Sequence, residues 1–139
     1  MVPADRKVAF KARLFIAKTL ALILMKLIDL HTLLDEHSRL LDLATIAEEN
    51  CKRLLEEETR DSQNEWNEFG INNLIFRLIE QVFVFNHILW QTPHIRTKIG
   101  IYIKDPDKIH FMDLEQVGYY QLDTIEDGEA IDDWLVYEK

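Results

Sequence analysis

The stretch "NLIFRLIEQVFVFNHILW" (Asn73–Trp90) decides how this chain is read. Ile71, Ile75, Leu78, Val82, Phe85 and Leu89 recur at alternating steps of four and three residues. That is the spacing of a single helical face. Leu74, Ile79, Phe83, Ile88 and Trp90 widen the apolar arc. Within it, "VFVF" (Val82–Phe85) has the β-branched and aromatic composition of a strand. The longer period outweighs those four residues, so a helix over about residues 62–90 is expected, stopping before Pro93. Ser62 or Asp61 would cap this helix, and Glu65 stands three residues after Ser62 as in a capping box. Gly70 would sit inside this helix at a cost of about 1 kcal/mol relative to Ala, which points to a close crossing or a local break.

Upstream, no Gly or Pro occurs between Pro3 and Gly70, so nothing obvious interrupts a long first helix. Leu20, Ile23, Leu27, Leu30, Leu34, His37, Leu41 and Ala44 follow strict three-four spacing. They would form one stripe, with Leu22, Leu24, Ile28, Leu33, Leu40 and Leu43 beside it. A stripe this wide packs against more than one helix. His37 is the polar interruption: either a hydrogen-bonded histidine at the core edge, or a polar layer that fixes register. The polar run "ETRDSQNE" (Glu58–Glu65) would turn the chain into the second helix.

Downstream of Pro93 the texture changes. "KIGIYIKD", "KIHFMDL" and "VGYYQLD" read as short strands, with Asp105-Pro106-Asp107-Lys108 as a turn, and "EDGE" leads to a last element, "AIDDWLVY". The resulting expectation is an α+β, predominantly α chain. A long antiparallel helical hairpin would occupy residues 1–92, and a small antiparallel β appendage residues 93–139. Two helices cannot cover such wide stripes alone, so pairing of two hairpins into a four-helix core, a homodimer, is expected.

Charge narrows the function. The 139 residues carry a net charge of −9, which disfavours direct nucleic-acid binding through phosphates. The charge is polarised. Arg6, Lys7, Lys11, Arg13, Lys18 and Lys26 face only Asp5 near the start, whereas eleven acidic residues follow Gly100. The basic start and "TLALILM" (Thr19–Met25) resemble a signal sequence superficially, but the apolar run is only seven residues long and has no cleavage site. It is too short to span a bilayer. A membrane surface is a less favoured partner than protein, and a cytoplasmic location is expected. Cys51 is the only cysteine, so no intrachain disulfide can form.

No motif assigns a reaction. Of the five histidines, His31, His37, His87, His94 and His110, the first two are six residues apart and cannot share a metal on one helix. The segment "DTIEDGEAIDD" fits a calcium loop at Asp123, Asp127 and Gly128, but Ile125 and Trp134 occupy ligand positions. Cys51 lies beside Lys52 and Arg53 without a histidine base in reach of sequence spacing. The four glycines are isolated, so there is no phosphate loop. No cofactor and no metal are expected, and the chain reads as a non-enzyme: an adaptor, assembly subunit or inhibitor. Leu20, Ile23, Leu27, Leu30, Leu34, His37 and Leu41 would form its helix seam. Asp123, Glu126, Asp127, Asp132, Asp133 and Trp134 would offer a basic protein partner an acidic and aromatic surface. Two alternatives stand beside this reading. One is an acidic mimic of nucleic acid that blocks a basic partner. The other is a small enzyme whose site forms between protomers from His31, His37, His87 and nearby carboxylates.

Overall fold

A computed structural model describes residues 4–24 and 26–138, with the side chains of residues 4, 5, 20–24 and 111 outside that description. The chain divides into two compact units, Met1–His37 and Ser38–Lys139.

The first unit contains α1 (Ala4–Leu24) and most of α2 (Leu27–Leu40). α2 has its own start. The Lys26 amide donates to the Asp29 carboxylate at 3.1 Å, and the Asp29 amide donates back to the Lys26 carbonyl at 3.0 Å. A carboxylate in the first turn satisfies an orphan amide and complements the positive end of the helix.

The second unit begins with the last turn of α2 and continues into α3 (Leu43–Glu58). Asp42 separates the two in a left-handed conformation, φ 53° and ψ 43°, which aspartate tolerates better than most residues. α3 buries Leu43, Ala47, Cys51 and Leu55, four residues apart and fully enclosed. Two 3-10 turns follow, Glu65–Glu68 and Ile71–Asn73, the first capped by the Asn64 side chain on the Trp66 amide at 3.0 Å. Gly70, at φ 76°, links the two turns.

Four strands complete the unit: β1 (Ile75–Val84), β2 (His94–Lys104), β3 (Leu114–Thr124) and β4 (Ala130–Tyr137). They form one antiparallel sheet in the order β1-β2-β3-β4. α3 packs across β1, β2 and β3. Ile99, Ile101, Tyr120 and Leu122 meet Ala47, Cys51 and Leu55 in the core, joined by Trp66, Leu74 and Val117. The Tyr120 hydroxyl donates to Asp133 at 2.8 Å, and burial, reinforced by that bond, pushes its pKa up. Trp66 stands edge-on to Tyr137 with centroids 5.3 Å apart.

This architecture corrects the expected helical hairpin and its bundle. The helix read over 62–90 is in fact two 3-10 turns, the strand β1 and the segment before β2. In β1 every residue except Arg77, Glu80 and Gln81 is apolar, so a three-four series can be drawn through it although its members lie on both faces. The register shift between Leu78 and Glu80 is a β-bulge at Ile79, and it breaks the alternation that would have exposed the strand. The long first helix is also corrected: among the described residues it is three helices, interrupted at Lys26 and at Leu41–Asp42. "KIHFMDL" is not a strand. Lys108, Met112 and Asp113 all have φ between 54° and 58°, which extended pairing does not admit.

Candidate functional site

Alternation along the sheet gathers one set of polar side chains on the face away from α3. β2 contributes His94, Arg96 and Lys98, β3 Tyr119, Gln121 and Asp123, and β4 Asp132 and Trp134. The register pairs Arg96 with Asp123, Lys98 with Gln121 and Gln121 with Trp134. Arg96 grips Asp123 with two hydrogen bonds, Nε to Oδ1 at 3.0 Å and a terminal nitrogen to Oδ2 at 3.1 Å. The Asp123 side chain has no exposed surface, and that of Arg96 is 25% exposed. The bond to Asp123 raises the guanidinium pKa still further. The Trp134 ring lies 5.4 Å from the guanidinium, and the Lys98 ammonium lies 4.0 Å from the Tyr119 ring.

His94 completes the cluster. Its fully buried ring places Nε2 3.4 Å from Asp123 Oδ2 and Nδ1 3.1 Å from the Thr92 carbonyl. The His87 ring stands 6.1 Å away, its Nδ1 accepting from the Leu89 amide. A histidine beside a carboxylate invites comparison with an acid–base pair, but both side chains are fully enclosed. Both Asp123 oxygens are held by Arg96, and the buried His94 Nε2 has no hydrogen-bond partner, 3.4 Å from Asp123 Oδ2. The cluster locks β2 to β3 from within.

The sequence-predicted residues are distributed differently from the surface expected of them. Asp123 is buried and paired, whereas Asp132 and Asp133 are exposed on opposite faces of β4, Asp133 accepting from Tyr120. Asp127 accepts from the Glu129 amide at 2.9 Å in the β3–β4 turn, where Gly128 has φ 87° and Glu126 is exposed. Trp134 is half-buried beside Arg96. Of the seam, Leu27 is 85% exposed, Leu30, Leu34, His37 and Leu41 are half-buried, and the side chains of Leu20 and Ile23 lie outside the described residues. His31 and His37 belong to the helical unit and His87 to the sheet unit. Arg96 and His94 were not singled out by the sequence. Their signal was the i, i+2 series His94, Arg96, Lys98 facing Tyr119, Gln121, Asp123, which pairs only once the strand register is known.

A second titratable cluster holds the β2–β3 connection. The buried Asp105 carboxylate accepts from the amides of Asp107, Ile109 and His110 and lies 2.8 Å from His110 Nδ1. These bonds, first the His110 amide and then its ring, hold Asp105 down to about 2. The unfolded value is about 3.9. The folded value is the lower, so the contribution to stability is present above about pH 4 and is lost as pH falls through about 2. Asp105→Asn should therefore melt below the unsubstituted protein near neutrality, with the gap closing as pH approaches 2. A gap that is constant with pH would contradict this role.

An open cleft of about 510 Å³ is lined by Glu68, Phe69, Asn72, Asn73, Ile75, Ile103 and Lys104, with no histidine, cysteine, serine or threonine among them. Among the described residues, no group of three His, Cys, Asp or Glu side chains converges to hold a metal ion. Cys51 is enclosed in the core, and burial, with Glu48 adding to it, pushes its thiol up to about 12. Such a thiol is inert. No protein-family model matches the chain, and no curated protein or solved structure matches it significantly.

Proposed function

We propose that the chain is a non-catalytic, cytoplasmic interaction protein that self-associates through α2. One observation carries the reading. Leu27 and Leu33 are 85% and 54% exposed, on the same helical face as half-buried Leu30, Leu34 and His37. The other side of α2 carries Asp29, Thr32 and Glu36, with Ile28 the exposed apolar residue beside them. Enclosing one leucine stabilises a contact by roughly 1.5–3 kcal/mol, so two of them on one amphipathic face supply a substantial drive for pairing. α2 carries both charge signs, Asp29, Asp35 and Glu36 against Arg39, and a second copy can be accommodated without wholesale repulsion.

Leu33 lies at the middle of α2, where two copies meet whether they run parallel or antiparallel. Because Cys51 is inert, a Leu33→Cys protein has one reactive thiol. Mild oxidation should link it into a disulfide dimer, while Thr32→Cys, on the other side, should remain single-chain. Equal linking at both positions, or none at Leu33→Cys, would contradict the reading.

A further inference from the structure

α1 differs from α2 in both charge and exposure. Every side chain from Arg6 to Thr19 is exposed, including Val8 at 67%, Phe10 at 69%, Phe15 at 71% and Ile16 at 56%. An isolated helix gains little stability in water, and most helical stability comes from packing of an apolar face. This helix leaves two phenylalanines and three aliphatic side chains (Val8, Leu14 and Ile16) in solvent. From residue 6 to its end α1 holds five cations, Arg6, Lys7, Lys11, Arg13 and Lys18, and no acid.

Their placement is ordered. At 3.6 residues per turn, Val8, Ala12, Phe15, Ile16 and Thr19 share the wider apolar arc. Lys7, Lys11 and Lys18 border it on one side, and Arg6 and Arg13 on the other. A narrower arc, Phe10 and Leu14, lies opposite. Apolar side chains between two cationic rows suit the plane of a charged bilayer, where the chains enter the acyl boundary and lysine and arginine reach back to phosphates. A second copy of α1 is a poor occupant, since pairing would set five cations against five with only one acid, Asp5, on each helix to offset them. No helix among the described residues is long and apolar enough to cross a membrane.

We infer that α1 is a membrane-surface helix that docks on anionic lipid. The wider arc enters the bilayer and the two cationic rows hold headgroup phosphates. The inference goes beyond self-association and stands apart from it, because α2 is tested by cross-linking and α1 by lipid.

The test is flotation of the full chain with vesicles of phosphatidylcholine alone, or with roughly one third phosphatidylglycerol, at low salt and at about 0.5 M salt. The protein should float with the anionic vesicles at low salt and stay behind with neutral ones. Lys7→Gln, Lys11→Gln and Lys18→Gln together should weaken binding roughly 100-fold. Phe15→Ser should weaken it at least about tenfold, and more than Phe10→Ser on the narrow arc. All these positions are exposed, so the sheet unit should keep its circular-dichroism spectrum and melting. Failure to float at low salt, equal flotation on neutral vesicles, or an unaffected triple variant would each overturn the assignment. Failure to float together with charge-dependent binding of polyglutamate would overturn it in favour of an acidic protein partner.

Discussion

Replacing Arg96 by leucine should destabilise the sheet unit by roughly 3–5 kcal/mol, the cost of leaving a buried carboxylate without its partner. Asp123 has no exposed surface and both its oxygens are bonded to the Arg96 fork. After the substitution only the His94 ring, 3.4 Å away, remains near the charge. For a unit of about a hundred residues the loss should lower the melting temperature on the order of 15 °C or more. The remedy is as informative as the damage. Arg96→Leu combined with Asp123→Leu removes the stranded charge and should recover much of the loss, because an apolar pair of similar volume can replace a buried ion pair. Arg96→Lys should fall between, since a single ammonium cannot reproduce the fork. A single Arg96→Leu protein as stable as the unsubstituted chain would mean that Asp123 is not enclosed as described.

The second large effect is expected at Gly118. A Cβ there would collide with the Val136 carbonyl in the neighbouring strand and with the ring of Trp66. The Trp66 ring is locked by Tyr137 and Phe69, at 5.3 and 6.4 Å between centroids, so it has little room to yield. Gly118→Ala should cost about 1–3 kcal/mol through overpacking, measured as a lower denaturant midpoint and accompanied by a change in tryptophan fluorescence. Adding Trp66→Leu should relieve only the ring's share, because the clash with the β4 carbonyl remains. A Gly118→Ala protein with an unchanged midpoint would contradict the packing of β4 beside β3.

These two positions also show where the sequence was readable and where it was not. The alternation in "KIGIYIKD" and "VGYYQLD" places strands where β2 and β3 lie, because one face is core and the other is polar. β1 hides the same physics. It is apolar at all but three positions, and the Ile79 bulge shifts its phase, so the composition of "VFVF" was the truer guide and the longer period misled. Helix breaks were equally hidden. Lys26 and Asp42 interrupt the run without a glycine or proline, Asp42 by adopting a left-handed turn that its short side chain tolerates. At the candidate site, charge marks Asp123 and the ring marks Trp134, but Arg96 stands 27 residues before Asp123 and joins it only through strand register. The exposure of α1 and α2 was not legible at all, because an apolar stripe is the same in sequence whether the protein's own core or a partner covers it.

Mass in solution therefore shows most directly whether a second copy covers α2. Light scattering on the full chain, over a range of micromolar concentrations, should give twice the 16.5 kDa chain mass. Leu27→Glu with Leu33→Glu, both exposed on α2, should return it to the single-chain value without altering the melting of the sheet unit. A folded protein that scatters as one chain at every concentration would contradict self-association through α2.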